Sequence, residues 1–88
     1  VVVLGHDHCG AVGAALEGPQ GGFIKFLTDE ISKAIGNEKD PLQASWLNVK
    51  NSVARLKDKL HTSENIIYKD VMITGAMYHI KSGHVEFL

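Results

Sequence analysis

The stretch VVVLGHDHCG, residues 1–10, joins an apolar run to a polar loop that is bounded by two glycines. Residues 1–4 are apolar and mostly β-branched, which is typical of a parallel strand that is buried on both faces. Residues 5–10 follow as a loop, and the helix formers of residues 11–16 come directly after it. A strand, a tight loop and a helix in this order predict a βα unit.

The loop GHDHCG contains the residues with the clearest chemical potential in the chain. His6 and Cys9 stand three positions apart, and imidazole and thiolate are donors that suit zinc. The flanking glycines, Gly5 and Gly10, let the backbone bend so that the two side chains can converge. A zinc site needs at least three protein ligands. The loop therefore offers two candidate ligands, and at least one more must come from elsewhere.

Two other interpretations apply to the same loop. Free cysteine is often buried without any chemical role, so His6 and Cys9 could simply pack in a tight turn. A glycine-bearing turn between a strand and a helix can also bind phosphate. The glycines at positions 5, 10 and 13 match neither the dinucleotide-binding nor the P-loop spacing, and no lysine follows before Lys25. The pattern therefore disfavours phosphate binding and leaves packing as the alternative to metal binding.

Two further helices are predicted downstream. Apolar residues recur at helical spacing over residues 23–35, and Gly36 stands where that helix would end. A longer helix is expected from Asp40, a good N-cap, with Gln43 able to reach back in a capping box. Residues 63–69 could add a short helical turn. The long helix has one apolar stripe, formed by Leu42, Trp46, Val49, Val53, Leu56 and Leu60.

The end of the chain returns to strand character. Residues 71–75 and 77–80 are strand-like, and residues 84–88 follow a Lys-Ser-Gly turn as an antiparallel return strand. The predicted order is β-α-α-α-β-β. It indicates an α/β fold, a mostly parallel β-sheet flanked by helices with a C-terminal antiparallel hairpin, in which residues 1–88 form a single domain. Because residue 1 is not methionine and opens inside an apolar run, we expect a piece of a longer protein.

Composition excludes several classes of function. The 88 residues have a formal net charge of −1, so no clustered positive surplus indicates a nucleic-acid partner. Apolar runs stay far below the ~20 residues that cross a bilayer, so no membrane partner is expected. The single cysteine rules out an internal disulfide and leaves the thiol available as a ligand, which favours a reducing, cytoplasmic location.

Three segments in register resemble the β-class carbonic anhydrases. Residues 1–12, VVVLGHDHCGAV, resemble the family's zinc loop, in which a strand ends in G-H-x-x-C-G. Residues 46–56 resemble its long helix with an N-V-x-x-x-V-x-x-L stretch, and residues 73–85 resemble its closing hairpin, G-A-x-Y-x-I-x-x-G-x-V. The resemblance covers nearly the whole chain and implies the carboxyl-terminal part of that fold, which is incomplete without the rest.

The resemblance implies Zn²⁺ as the cofactor and matches His6 and Cys9 to two of the family's three zinc ligands. The third is a cysteine in a C-x-D-x-R segment on the preceding strand, and these 88 residues contain no such segment. The aspartate and arginine of that segment form a dyad beside the metal, so no catalytic residue is assigned here. Arg55 lies off the apolar stripe of the long helix and is expected to be a solvated surface residue.

The implied function is the zinc-dependent, reversible hydration of carbon dioxide to bicarbonate and a proton, the reaction of a zinc lyase. Zinc acidifies a bound water, which makes hydroxide available at neutral pH. Asp7 and His8 are the local candidates for hydrogen-bond support of the metal site. His8 is also a candidate for proton transfer, and the alternative for it is an exposed polar loop residue without such a role. The isolated chain is expected to be inactive.

The resemblance also bears on assembly. Family members form dimers or higher oligomers, so a homo-oligomer with carbon dioxide and bicarbonate as its small-molecule partners is expected. The alternative function is a non-catalytic folding or interaction module that derives from the family and has an incomplete metal site.

Overall fold

The computed structural model describes residues 1–61 and 71–88 of the chain. The elements follow the predicted order, and the helical turn expected over residues 63–69 lies outside the described residues. No helix in the described ranges is both long and apolar enough to cross a membrane. The elements are β1 (Val2–His6), α1 (Gly10–Glu17), α2 (Ile24–Ile35), α3 (Pro41–His61), β2 (Thr74–His79) and β3 (His84–Phe87).

The three strands form one mixed sheet in the order β1-β2-β3. β1 pairs in parallel with β2, from Val2 opposite Thr74 to His6 opposite Tyr78. β2 then pairs antiparallel with β3, which confirms the predicted C-terminal hairpin. The sequence places Gly5 and His6 in a loop, but the ladder continues through both of them. His6 is therefore the last residue of a strand, and the ladder hydrogen bonds on either side of it, such as that of the Asp7 N–H to the Tyr78 carbonyl oxygen, fix its position.

Helix α3 lies against one face of this sheet and joins two apolar cores. On one side it packs against α1 and α2, and on the other it lies against β1 and β2. The first core consists of Val12, Ala15, Ile31, Ile35 and Ala44. The second core consists of Val49, Val53, Ile73 and Met77.

The predicted stripe of α3 is right at its centre and wrong at its start. Val49 and Val53 are buried, whereas Leu42 at the start of the stripe is exposed. The small residues Ala44 and Ser45, which lie off the stripe, are buried instead. Because α3 packs against helices at its beginning and against the sheet further on, a single straight stripe does not describe its contacts.

The expectation that β1 is buried on both faces is wrong for the described part of the chain. Val2 is 51% exposed and Leu4 is 57% exposed, and β1 lies at the edge of the described sheet. Side chains alternate between the two faces of a strand, so Val3 points to α3 and its neighbours point to the open face. An apolar run has the same composition whether one face or both faces are covered, which is why the sequence pattern does not distinguish the two cases.

The predicted N-cap of α3 is confirmed, but the capping box is made by a different residue. Asp40 Oδ2 accepts a hydrogen bond from the Gln43 backbone N–H at 3.1 Å. The Asp40 backbone N–H donates to Glu38 Oε1 at 3.0 Å, so Glu38 takes the role that the sequence offers to Gln43. The carboxylate of Glu38 precedes the helix, where a negative charge also suits the positive end of the helix dipole.

Two glycines allow α3 to approach the sheet closely. A Cβ atom added to Gly75 would lie 2.7 Å from Val49 Cγ1 and 2.7 Å from Leu88 Cδ1. A Cβ atom added to Gly5 would overlap Val49 Cγ2. Real Cβ atoms do not come this close to their neighbours, so both positions require a residue without a side chain. The contact also fixes the distance between α3 and the strand that ends in His6.

Gly75→Ala is expected to lower the free energy of unfolding by about 1–3 kcal/mol, because the added methyl group overpacks the contact between the sheet and α3. Chemical denaturation followed by circular dichroism measures this change. The matched control is Gly13→Ala in α1, where an added Cβ meets no atom within 4 Å and helix propensity favours alanine. If Gly75→Ala were as stable as Gly13→Ala, the close approach of α3 would be wrong.

Candidate metal site

The turn between β1 and α1 brings the two predicted ligands to one place. His6 ends β1, and Cys9 occupies the N-cap position of α1 with an extended backbone. Between them, His8 has a φ angle of 52°, in the left-handed region that produces a sharp change of direction. His6 and Cys9 line the same cavity of about 140 Å³, and its other walls are formed by Leu4, Gly5, Val12, Ser45, Asn48 and Val49.

The hydrogen bond of His6 decides which ring nitrogen is available to a ligand. His6 Nδ1 lies 2.7 Å from the carbonyl oxygen of Asp7. A carbonyl oxygen can only accept, so we assign the proton to Nδ1 as the donor. In the neutral ring Nε2 then keeps its lone pair. Histidines that bind metals usually have this arrangement, with the second nitrogen donating to a carbonyl or a carboxylate.

The thiol of Cys9 is free and half-buried. It makes no capping hydrogen bond through its side chain, although its carbonyl oxygen accepts from the Gly13 backbone N–H at 3.0 Å, the first bond of α1. The backbone of Cys9 therefore starts the helix while the side chain lines the cavity that it shares with His6.

The donor set fits zinc in kind but not in number. An imidazole nitrogen and a cysteine sulfur are the preferred donors of zinc, which takes four ligands in tetrahedral geometry. Within residues 1–61 and 71–88, no three His, Cys, Asp or Glu side chains could hold a metal ion together. A zinc site that uses His6 and Cys9 therefore needs at least one more protein ligand from beyond the described residues.

Asp7 contacts the end of β2. Its backbone N–H donates to the Tyr78 carbonyl oxygen at 3.1 Å, and its Oδ1 accepts from the Ile80 backbone N–H at 3.0 Å. The sequence offers Asp7 as hydrogen-bond support for metal chemistry, and in the structure its carboxylate accepts a hydrogen bond from the hairpin. This contact joins residues 73 positions apart, so only the register between β1 and β2 could indicate it.

The histidines of this surface differ in their surroundings. The side chain of His8 is 74% exposed, and its Nε2 lies 4.0 Å from Asp7 Oδ2, which fits the interpretation of an exposed loop residue. The side chain of His79, in contrast, is only 25% exposed. It lies between Asp7 and Glu86, with Nε2 3.7 Å from Glu86 Oε1, and its ring stacks on that of His84.

Arg55 takes no part in the candidate metal site. Its guanidinium Nη1 lies 3.0 Å from Glu30 Oε2, and its side chain is half exposed. It lines a different cavity, of about 350 Å³, between α2 and α3. The sequence-based prediction of a solvated surface residue that cannot replace a dyad arginine agrees with this position.

The chain was compared with protein-family models, with curated proteins and with solved structures. A family model described as carbonic anhydrase matches residues 1–85. Among solved structures, the chain is similar to one of two tetrameric β-carbonic anhydrases from the filamentous ascomycete Sordaria macrospora, with 20% sequence identity and a TM-score of 0.68. The match covers 99% of this chain and 50% of that chain, so the chain spans half the length of that structure. A search of curated proteins yields no match.

Proposed function

Because the chain belongs to the carbonic anhydrase family and has the fold of part of a β-class member, we propose that it supplies zinc ligands to an enzyme that reversibly hydrates carbon dioxide to bicarbonate and a proton. The observation that carries this proposal is the shared cavity of His6 and Cys9 at the end of β1. Two donors that suit zinc lie on one turn there, and one of them already has the tautomer of a ligand.

In this proposal each residue has a defined role. His6 binds zinc through Nε2, because Nδ1 donates to the carbonyl oxygen of Asp7. Cys9 binds through its sulfur as a thiolate, and Val12 and Val49, both buried, close the inner wall of the cavity. When bound, zinc supplies the Lewis acidity that makes water a nucleophile at neutral pH. No acid or base for proton transfer is assigned among the described residues.

The remaining parts of the site are proposed to come from outside these 88 residues. A further cysteine ligand and the aspartate–arginine dyad would be provided by a C-x-D-x-R segment on a strand beside β1. Residues 1–88 would then form the carboxyl-terminal part of a single domain in the longer enzyme. The similar structure from Sordaria macrospora is tetrameric, and this supports a homo-oligomer. Because a free thiol is most easily kept reduced in the cytoplasm, we propose a cytoplasmic location.

The test compares the 88-residue chain with a version that has a C-x-D-x-R-bearing strand fused ahead of Val1. Stopped-flow hydration of carbon dioxide and elemental zinc analysis are carried out on both proteins. The chain alone is expected to bind zinc weakly and to hydrate carbon dioxide at the background rate. The extended protein is expected to bind stoichiometric zinc and to gain activity, because the tetrahedral ligand set is then complete.

A matched control carries the same extension with serine in place of its cysteine, and it should lose both zinc and activity. The non-catalytic alternative is separated by the same measurements, since it predicts an extended protein that folds but does not hydrate carbon dioxide. Full activity of the 88-residue chain without any extension would contradict the proposal.

A further inference from the structure

The parallel ladder between β1 and β2 changes its acceptor at Asp7. In a parallel ladder, alternate residues of one strand donate to the residue before their partner and accept from the residue after it. His6 pairs with Tyr78, so the same register sets Asp7 beside His79. The Asp7 backbone N–H donates to the Tyr78 carbonyl oxygen at 3.1 Å, as the pattern requires. The pattern would next direct the Ile80 N–H to the Asp7 carbonyl oxygen.

The Ile80 N–H bonds to the side chain of Asp7 instead. The distance from Ile80 N to Asp7 Oδ1 is 3.0 Å, whereas the Asp7 carbonyl oxygen lies 2.7 Å from His6 Nδ1. The carboxylate therefore replaces the main-chain carbonyl at the end of the ladder. As a consequence, the carbonyl is free to accept a hydrogen bond from the imidazole of the preceding residue.

We propose that Asp7 is a positioning residue for His6. By taking the Ile80 N–H with its side chain, Asp7 keeps its carbonyl oxygen on His6 Nδ1, which fixes the ring orientation and leaves the Nε2 lone pair for a metal. The metal part of this proposal rests on the proposed zinc function. Without the carboxylate, the carbonyl of residue 7 becomes the ladder acceptor for Ile80, and the imidazole loses its partner.

The geometry indicates that the side chain of residue 7 must accept a hydrogen bond from the Ile80 N–H, and that its negative charge matters less. Asp7 Oδ1 makes a direct hydrogen bond to Ile80. In contrast, Oδ2 lies 3.8 Å from His79 Nδ1 and 4.0 Å from His8 Nε2, beyond hydrogen-bond distance. An asparagine has a carbonyl oxygen in the place of Oδ1, so Asp7→Asn can still accept the Ile80 N–H. Asp7→Ala cannot.

The first test reads the tautomer of His6 without any metal. Long-range ¹H–¹⁵N NMR spectra are recorded on the 88-residue chain at a pH at which its histidines are neutral. The wild-type chain and Asp7→Asn are expected to carry the His6 proton on Nδ1. In Asp7→Ala the proton is expected to move to Nε2 for a large part of the population. Asp29→Ala, which removes a surface ion pair with Lys25 on α2, is the control and should match the wild type.

The second test measures the affinity of the 88-residue chain, whose single cysteine is Cys9, for Co²⁺ as the probe, through the thiolate-to-cobalt charge-transfer absorption. Outer hydrogen-bond partners of ligand histidines typically change metal affinity by roughly 10–100-fold. Asp7→Ala is therefore expected to weaken Co²⁺ binding about tenfold, whereas Asp7→Asn and Asp29→Ala should stay close to the wild type. Cys9→Ser should remove the band, which tests the proposed zinc function separately from the role of Asp7.

The outcomes separate the two proposals. If Cys9→Ser removes the band but Asp7→Ala keeps both the Nδ1 proton and the wild-type affinity, the positioning role is overturned and the zinc function stands. If Cys9→Ser leaves the cobalt spectrum unchanged, the zinc function fails, and the tautomer alone decides the role of Asp7. Should Asp7→Ala not fold, Asp7→Asn decides, because a folded Asp7→Asn with its His6 proton on Nε2 overturns the proposal.

Discussion

Replacing Cys9 by serine is expected to remove nearly all metal from the protein that carries the completed site. Serine has a hydroxyl group that stays protonated near neutral pH and is a poor ligand for zinc, whereas the thiolate is among the best. The loss of affinity should exceed the roughly 10–100-fold that outer hydrogen-bond partners cause. Elemental analysis after dialysis measures the zinc content, and carbon dioxide hydration should fall with it.

The control for this substitution is His84→Ala, which removes an exposed imidazole from the hairpin. It should retain the metal, because His84 is not among the residues that line the cavity of His6 and Cys9. Cys9 is the one cysteine of the 88-residue sequence, so no neighbouring thiol in these residues can take its place. Stoichiometric zinc and unchanged activity in Cys9→Ser would exclude the assignment of the ligand.

Met77→Ala is expected to lower the free energy of unfolding by about 2–5 kcal/mol, as large-to-small changes in protein cores do. Met77 is fully buried between the sheet and α3, in the core that also contains Val49, Val53 and Ile73. Truncation loses the transfer free energy of the side chain and leaves a cavity that the two sheet-facing valines can fill only in part. Urea denaturation measures the change.

The chain offers a matched control, because its other methionine, Met72, is 80% exposed. Met72→Ala should change the free energy of unfolding by less than about 0.5 kcal/mol, as is usual for surface substitutions. Equal effects of the two substitutions would mean that the core between the sheet and α3 is not packed as described.

The sequence predicts the order of elements because its signals are local. Helical spacing, the Asp40 cap and the strand-like runs each depend on residues within a few positions of one another. The limits of β1 and its burial depend on what lies beside it, and a run of residues does not contain this information. Burial in α2 also depends on its neighbours. Ile31 and Ile35 pack in the core, whereas Phe26 on the same helix is 78% exposed.

The candidate site likewise has features that local sequence signals indicate and features that depend on distant contacts. His6 and Cys9 can be proposed as ligands from sequence, because they lie within one loop and that loop resembles the zinc loop of the β-class carbonic anhydrases, although their spacing alone leaves packing as an alternative. The contact of Asp7 with Ile80 cannot be predicted in this way, since it depends on a register between strands far apart in the chain. The sequence therefore indicates the proposed ligands but not Asp7, the residue proposed to orient one of them.

The position of Val49 has a consequence for the order in which mutations can accumulate. Its Cγ2 atom faces Gly5 and its Cγ1 atom faces Gly75, so one side chain limits two positions on neighbouring strands. A methyl group at Gly5 becomes tolerable only after residue 49 has become smaller, whereas one at Gly75 also requires Leu88 to move. Substitutions at positions 5, 49 and 75 are therefore expected to be non-additive. Gly5 also precedes His6 directly. Selection that preserves the proposed metal-binding turn is therefore expected to act on a residue in the middle of α3 as well, so that the three positions evolve together.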